Sequence, residues 1–441
     1  MNTQKIRPKI AVVGAGWAGL SAAVQLAARA DVTLFEAGKQ AGGRARTLQA
    51  GREGFSFLDN GQHILIGAYH GVQTLLRKIG VREETAFLRQ PMQWHMADSL
   101  QFQAANLPAP LHILFGILTA KKLSLGEKTA LLNSMRGLQK RHALNLPDIS
   151  IGEWLHRQNT SRKMVAGFWQ PLVWGALNTP LQTASLNVLC NVLQDGVWAD
   201  KAGSDYLLPK QDLGGLLAAP ALRFLKQRGA NIRLDTRVGR LENLPDGRVS
   251  VANQAFDAAI LAVAPYHAAA LMPSETPSSI QTAYEALQYH AITTVYLRYA
   301  EAVALPAVMT GLAGGTAQWL LCRGKLGLPE NEVAAVISLS DKVGAYKNEE
   351  WIARVHADVK ALCPHVGEPL AARSITEKRA TVASTVARVL PDLVWLQQRR
   401  IYPAGDYLHP RYPATLEAAV QSGRMAAELC LNDYPIKREI K

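Results

Sequence analysis

The chain has 441 residues, of which 48% are hydrophobic and 19% charged, and its formal net charge is +13 at pH 7. This length exceeds what one hydrophobic core accommodates, so we expect two domains, and the apolar content excludes extended disorder. The basic excess suits an anionic partner. Because the basic residues are dispersed and form no nucleic-acid recognition motif, we expect a membrane surface rather than nucleic acid.

The first segment, Met1–Lys9, is short and polar and leads directly into a strand, so we expect no signal peptide and a cytoplasmic location. No run approaches the roughly 18 consecutive apolar residues of a membrane-spanning helix. The cysteines lack CxxC spacing and histidine partners, which argues against structural zinc and a disulfide framework, so we expect no metal. They are Cys190, Cys322, Cys363 and Cys430.

A glycine-rich turn follows the first predicted strand. Ile10–Val13 is an apolar run typical of a buried parallel strand, and Gly14 allows a tight turn at its end. Gly16 has no Cβ, so a pyrophosphate can approach the free N–H groups at the start of the next helix. Gly19 lets that helix pack closely against the strand. The spacing predicts a dinucleotide-binding βαβ unit.

The end of this unit indicates which dinucleotide is bound. Glu36 ends the second strand, where a carboxylate accepts hydrogen bonds from a ribose and repels a 2′-phosphate. Gly42-Gly43-Arg44 follows, and it resembles the extension of the FAD-binding fingerprint in the flavin amine oxidase and phytoene desaturase superfamily. The resemblance implies FAD bound by Gly43 and Arg44, and without a covalent tether, since no cysteine precedes the C-terminal Gly405-Asp406.

Two further segments, Leu58–Tyr69 and Gly167–Asn178, narrow this resemblance. The first contains Asp59-Asn60-Gly61-Gln62-His63, and both resemble the FAD-dependent hydroxysqualene dehydroxylases of bacterial hopanoid synthesis. The resemblance implies reductive removal of a hydroxyl from hydroxysqualene, with hydride from reduced flavin, to give squalene. It also implies a tunnel for a long apolar isoprenoid and contact with other enzymes of the squalene pathway.

Hydroxyl loss requires particular side chains, and these segments contain candidates. Hydroxide leaves poorly, so an acid should protonate it, and His63 is the first candidate because an imidazolium can donate a proton near neutral pH. Alternatively, His63 only hydrogen-bonds flavin or backbone, and Asp59 either orients His63 or holds the loop. Tyr69, Trp169 and Trp174 are candidates for the tunnel wall, although such tryptophans are also common in helical cores.

A short apolar segment, Leu107–Leu118, is followed by Lys121-Lys122. An apolar stretch with a cationic flank can enter one leaflet of an anionic membrane. The alternative is an internal helix of the substrate domain, since runs of this length are often core. The first interpretation predicts peripheral association with the inner face of the cytoplasmic membrane.

The middle of the chain predicts a return to the nucleotide domain. Asn231–Val238, a polar turn at residues 245–248, and Phe256–Pro265 predict a strand, a hairpin and a strand. In the superfamily, a residue at the position of Val238 contacts the adenine through its backbone. An unrelated hairpin is the alternative.

The C-terminal region predicts the last part of that domain. Ile401–Asp406 ends a strand, and residues 412–423 begin an amphipathic helix. The resemblance implies that this helix points its N-terminus toward the isoalloxazine, whose reduced form carries negative charge. The superfamily uses Gly405 and Asp406 to hold the phosphate and ribityl region of the flavin.

These regions predict an α/β protein with a discontinuous Rossmann-like FAD-binding domain and an inserted α+β substrate domain. We expect residues 1–95, 205–268 and 385–441 in the FAD-binding domain, and residues 96–204 and 269–384 in the substrate and membrane-associating domain.

Three other functions use the same signals. A carotenoid-type desaturase would have the same fold and a similar tunnel but run oxidatively. A flavin amine oxidase needs a lysine near the flavin and an aromatic cage, and the sequence allows neither to be assigned. A non-catalytic flavin-binding scaffold is the third alternative.

Overall fold

A computed structural model describes residues 7–49 and 54–434. Residues 1–6, which belong to the polar N-terminal segment discussed above, lie outside these ranges. A five-stranded parallel sheet organises the nucleotide-binding part, and its buried strands are runs of apolar and β-branched residues. In spatial order its strands are Ile401–Pro403, Ala258–Leu261, Lys9–Val13, Asp31–Phe35 and Asn231–Arg233.

The first and last long helices of the described chain pack against each other beside this sheet. They are Trp17–Leu26 and Leu416–Asn432. A Cβ at Gly423 would lie 2.0 Å from the carbonyl oxygen of Ala18, so only glycine allows the two backbones to approach this closely. Ser21 Oγ donates a hydrogen bond of 2.8 Å to the carbonyl of Val420 at the same contact. The two ends of the chain therefore complete one layer.

The parallel sheet combines strands from three separate stretches of the chain, and this confirms the predicted discontinuous α/β fold. The middle stretch differs in detail from the expected strand, hairpin and strand. The turn at residues 245–248 joins Glu242–Asn243 to Val249–Val251, which also pairs with Gln254–Phe256. Asn231–Arg233 instead joins the parallel sheet beside Asp31–Phe35, and its one apolar side chain, Ile232, packs against the core of that sheet.

A second five-stranded sheet is antiparallel and forms the frame of the inserted part. In spatial order its strands are Met309–Gly311, Trp319–Cys322, Glu332–Ser338, Tyr289–Arg298 and Ala371–Val382. The register shifts between His290 and Ile292, where the facing strand contains extra residues and bulges. The bulge turns the carbonyl of Ala380 toward the nucleotide-binding part.

Smaller elements complete the structure. A three-stranded sheet has the order Leu65–Ile66, Tyr206–Pro209 and Phe87–Gln90, and a hairpin pairs Gln93–His95 with Gln101–Gln103. The other α-helices are His70–Lys78, Glu83–Ala86, Leu111–Leu118, Leu125–Ala143, Ile151–Arg157, Arg162–Met164, Gln170–Leu177, Leu186–Leu193, Ala219–Gln227, Pro265–Leu271, Ser278–Glu285, Ser340–Val343, Asn348–Leu362 and Val394–Gln397. Three π-helical turns are Val165–Trp169, Gln194–Trp198 and Gly214–Ala218, and three 3₁₀ turns are Ala202–Ser204, Arg323–Leu326 and Asp406–Leu408.

Within the described residues, no helix is long and apolar enough to cross a bilayer. The predicted apolar segment forms the helix Leu111–Leu118, which is only partly internal. Ile113 and Ile117 are buried, whereas Leu111, Phe115 and Leu118 are each about half exposed. This spacing of four and three residues places the exposed side chains on one face of the helix.

Candidate functional site

The glycine-rich turn forms the floor of a long cavity. Gly14 has φ +102°, and a Cβ there would lie 2.4 Å from the carbonyl oxygen of Ala262. Gly43 has φ +62°, and its Cβ would approach Gly16 Cα to 3.0 Å. The Trp17–Leu26 helix begins immediately after Gly16 with no side-chain cap, so its free N–H groups face this floor. A pyrophosphate fits such an uncapped, side-chain-free helix start.

Glu36 lies on the cavity wall beside this floor. Its Oε2 accepts a 2.7 Å hydrogen bond from the N–H of Ala15, and its Oε1 accepts a 2.8 Å bond from the N–H of Gly38. The two backbone donors fix the orientation of the carboxylate. A carboxylate has about four acceptor positions, so Glu36 retains capacity for ribose hydroxyls.

Arg44 and Asp406 form an ion pair at the same cavity. The nitrogen–oxygen distance is 2.6 Å, and the second Nη of Arg44 donates a 2.8 Å bond to the bulged carbonyl of Ala380. The partner carboxylate outweighs the effect of burial and raises the pKa of Arg44. The N–H of Gly405 donates a 3.0 Å hydrogen bond to Ser422 Oγ on the C-terminal helix. This contact fixes the turn that presents Asp406.

The cavity has a volume of about 1060 Å³ and extends from this floor into the inserted part. Val238 is buried and lines it, and Gly405 and Asp406 line it just after the carboxyl end of the edge strand Ile401–Pro403. Gly19 does not line it, since its role is the close packing of helix against strand. The bare glycine floor, uncapped helix and bonded carboxylate together fit an FAD molecule.

Beyond the nucleotide end the cavity wall is mostly apolar. Trp94 and Trp319 lie edge to face, with ring centroids 5.0 Å apart, and both line the cavity. The other apolar wall residues in this part include Met92, Leu172, Ala176, Val192, Leu193, Val197, Met309 and Val336. Such a wall suits a long hydrocarbon chain.

His63 lines the cavity, but its surroundings do not favour the charged form. Its Nδ1 donates a 2.8 Å hydrogen bond to the carbonyl of Gly61, which leaves Nε2 as an acceptor in the neutral ring. Burial is the main reason that the pKa of His63 is lowered, and the positive charge of Arg44 lowers it further. His63 therefore makes a backbone hydrogen bond, which was the alternative to a role as proton donor.

Asp59 does not contact His63 and instead lies in a buried carboxylate cluster. Its Oδ1 is 2.9 Å from Thr47 Oγ1 and accepts a 3.1 Å bond from the N–H of Leu213. Burial raises the pKa of Asp59 to about 7, and the nearby carboxylate of Asp212 adds to this. Thr47 Oγ1 is also 2.5 Å from Asp212 Oδ1. One threonine hydrogen cannot serve both carboxylates, so a proton on Asp59 satisfies the cluster, and Asp59 holds the loop.

Of the three residues predicted to line the tunnel, the structure places one on the cavity. Tyr69 lines it, and burial, followed by the nearby carboxylate of Glu417, raises the pKa of its hydroxyl. Among the described residues, Trp169 and Trp174 do not line it, so their assignment to the tunnel wall is corrected. Trp169 ends a π-helical turn and packs edge to face on Trp154, with ring centroids 5.1 Å apart, in the core behind the wall.

A polar cluster on the cavity wall was not predicted from the sequence. Asp195 and Tyr412 both line the cavity, and Tyr412 Oη donates a 2.5 Å hydrogen bond to Asp195 Oδ2. Arg411 donates to the two carboxylate oxygens from Nε and Nη2, at 3.2 and 2.9 Å. The available signal was Asp195 itself, which interrupts the apolar residues from Val192 to Trp198.

Comparisons with known proteins agree with this geometry. A family model described as flavin containing amine oxidoreductase matches residues 17–431. The hydroxysqualene dehydroxylase of Rhodopseudomonas palustris is 29% identical over 95% of this chain and 97% of its own. That of Zymomonas mobilis is 27% identical over 96% of this chain and 98% of its own.

More distant relatives share the architecture. The chloroplastic/chromoplastic 15-cis-phytoene desaturase of Capsicum annuum is 23% identical over 97% of this chain and 78% of its own. A crystal structure of a putative protoporphyrinogen oxidase from Exiguobacterium sp. 255-15 has a TM-score of 0.69 at 19% identity. The match covers 97% of this chain and 100% of the other, and it shows a common fold.

Proposed function

The chain belongs to the flavin containing amine oxidoreductase family and is an FAD-dependent oxidoreductase, and from this premise we propose that it removes the hydroxyl of hydroxysqualene reductively and releases squalene. The observation that carries the proposal is one continuous cavity. It joins a glycine-floored dinucleotide site to an apolar wall that suits a C30 hydrocarbon chain. The relatives named hydroxysqualene dehydroxylase support the choice of substrate.

Loss of the hydroxyl breaks the C–O bond, and the electron pair leaves with an oxygen that must also gain a proton. When bound, reduced flavin supplies the hydride that the allylic carbon receives. The apolar wall excludes bulk water from that carbon, which prevents water from trapping the cation. Trp94 and Trp319 place aromatic rings on this wall, and aromatic rings near the allylic carbon would stabilise its positive charge.

The lining of the cavity also bears on the alternatives. Among the described residues no lysine lines it, which disfavours an amine oxidase that depends on a lysine at the flavin. A desaturase needs the same apolar wall, and the similarity to a phytoene desaturase keeps it as the second candidate. The two reactions differ in the direction of electron flow.

The exposed apolar face of the Leu111–Leu118 helix supports a role at the membrane. Leu111, Phe115 and Leu118 protrude beside the exposed cations of Lys121 and Lys122, which would face anionic headgroups. The same helix reaches the cavity wall, because His112 Nε2 donates to Ser204 Oγ at 3.1 Å and Ser204 lines the cavity. A lipid substrate would then enter close to its bilayer.

One anaerobic experiment tests the proposed reaction. The purified holoenzyme is reduced with dithionite, the excess is removed, and hydroxysqualene is added while flavin absorbance and lipid products are followed. We expect flavin reoxidation with one squalene formed per flavin. Unchanged reduced flavin with hydroxysqualene, combined with reduction of the oxidised holoenzyme by phytoene, would replace the proposal by the desaturase. No redox change with either lipid would favour the scaffold.

A further inference from the structure

The Asp195–Tyr412 pair lies on the cavity wall, where the chain neighbours of Asp195, Val192, Leu193 and Val197, are apolar wall residues. Asp195 belongs to the π-helical turn Gln194–Trp198, and such turns occur frequently at functional sites. Tyr412 precedes the C-terminal helix Leu416–Asn432. The pair therefore joins two elements that are distant in the chain, and both partners face the same ligand space.

The hydrogen bonds of the pair define what it can still bind. The single hydroxyl hydrogen of Tyr412 is donated to Asp195, so the phenol oxygen has only acceptor capacity left. Asp195 accepts three hydrogen bonds, two from Arg411 and one from Tyr412, and a carboxylate has about four acceptor positions. Toward the cavity, the pair offers acceptors and no donor.

The tyrosine ring is held in place independently of any ligand. It stacks on the imidazole of His409, with ring centroids 4.6 Å apart and an interplanar angle of 6°. His409 Nδ1 accepts a 3.0 Å bond from the N–H of Tyr412, and its Nε2 donates to Gln421 Oε1 at 3.1 Å. Because both nitrogens have defined partners, the ring is fixed and orients the phenol.

The cluster also offsets the unfavourable free energy of placing the Asp195 carboxylate on an apolar wall. An unpaired charge there would be strongly unfavourable, and the fork of Arg411, whose side chain is partly exposed, neutralises it from the outer side. A hydrocarbon that displaced water from the wall would still leave the acceptors of the pair without a donor. A ligand hydroxyl supplies that donor.

We propose that the Asp195–Tyr412 pair is the site that recognises the hydroxyl group of an isoprenoid alcohol, with the alcohol O–H donating to Tyr412 Oη, which Asp195 orients. This inference rests on the proposed function and assigns the residues that select an alcohol over the corresponding hydrocarbon. In this arrangement the alcohol oxygen donates its hydrogen and keeps its lone pairs free. One lone pair can then accept the proton that is needed for the oxygen to leave as water.

Binding to the oxidised holoenzyme tests the inference without turnover. Hydroxysqualene and squalene are titrated in detergent micelles of one composition, and the perturbation of flavin absorbance gives each Kd. We expect the native protein to bind the alcohol about tenfold more tightly, which is the size of one hydrogen bond to a charge-supported acceptor. In Tyr412→Phe, which keeps the ring stacking, the preference should fall to about twofold or less, chiefly through weaker binding of the alcohol.

Asp195→Asn is the second variant, and it should lower the preference as well because the charge that orients the phenol is lost. Tyr266→Phe is the matched control, since Tyr266 also lines the cavity but has no carboxylate partner, and it should keep the tenfold preference. Equal Kd values for both lipids in the native protein, or an unchanged preference in Tyr412→Phe, would overturn the inference. Turnover of hydroxysqualene by the native protein is scored separately, so failure of the proposed function is distinguishable.

Discussion

The guanidinium of Arg44 and the carboxylate of Asp406 lie 2.6 Å apart although 362 positions separate them in the chain. Both are mostly buried, with 25% and 10% of their side chains exposed, and both line the cavity. The pair connects the end of the first βαβ unit to the strand end that precedes the C-terminal helix. Closure of the nucleotide site therefore depends on a contact between the two ends of the sequence.

Asp406→Asn should weaken this closure. Removal of one charge leaves the guanidinium of Arg44 without its counter-ion, and we expect a loss of about 2 kcal/mol in the free energy of unfolding together with faster FAD release. Urea unfolding and the temperature at which flavin fluorescence appears measure the two effects. Asp246→Asn breaks the fully exposed pair with Arg248 and should change neither quantity. Equal behaviour of the two variants would contradict the role of the Arg44–Asp406 pair.

Asp59 predicts an unusual pH dependence of stability. Its pKa is about 7 in the folded protein, above the ordinary value of 3.8, so between these pH values the folded state binds more protons than the unfolded state. The stabilising contribution is complete below about pH 4 and is lost as pH rises to about 7, with an upper limit of about 4 kcal/mol. Asp59→Asn keeps an acceptor for Thr47 and Leu213 and cannot titrate.

The free energy of unfolding of the native protein relative to Asp59→Asn should accordingly fall between pH 5 and pH 8. Urea titrations of both proteins at four pH values in this range measure the difference. A constant difference would show that Asp59 does not titrate there.

His63→Ala should retain flavin and slow hydroxyl loss by less than about tenfold. Burial and Arg44 keep the imidazole neutral, and its Nδ1 hydrogen is already donated to Gly61, so the ring is a poor proton donor. A general acid contributes about 10²–10⁴-fold to a rate. Single-turnover reoxidation of the reduced flavin, measured from pH 6 to pH 9, decides between these values. A loss above 100-fold would assign the proton transfer to His63 after all.

Replacement of Leu111, Phe115 and Leu118 by serine should weaken binding to vesicles that contain anionic lipid. The three side chains are each about half exposed, and loss of their transfer into lipid should lower the partition coefficient by at least about tenfold. Co-sedimentation with phosphatidylglycerol vesicles measures this. The control replaces three exposed apolar residues elsewhere, Leu370, Val389 and Val394, by serine. Equal binding of both triple variants would contradict a specific membrane-contacting helix.

The nucleotide site was predictable because its requirements are local. Gly14 and Gly43 have a positive φ, the bare Gly16 leaves room for a pyrophosphate, and Glu36 must end a strand, and each requirement restricts the residue type at one position. The apolar helix Leu111–Leu118 was also predictable, because its residues form an almost uninterrupted apolar run. The domain boundaries and the roles of the site residues remain predictions.

The rest of the site depends on tertiary contacts that no local pattern specifies. Trp169 and Trp174 lie in a helical segment, other residues of which do line the cavity. A π-helical turn and the position of each tryptophan around the helix direct these two side chains away from the cavity. Trp94 and Trp319 occupy the wall instead and come from two separate strands. Asp195 and Tyr412 meet only because the inserted helices pack against the start of the C-terminal helix, across 217 positions.

The order of the strands has a consequence for how the protein is made. The edge strand Ile401–Pro403 pairs with Ala258–Leu261, and Asp406 follows it directly. While the chain grows on the ribosome, the glycine-rich floor emerges first, but its counterpart arrives only after nearly all of the inserted part has been synthesised. A nascent chain that ends before Asp406 lacks this ion pair and should therefore remain colourless, so FAD binding should follow synthesis of the inserted part.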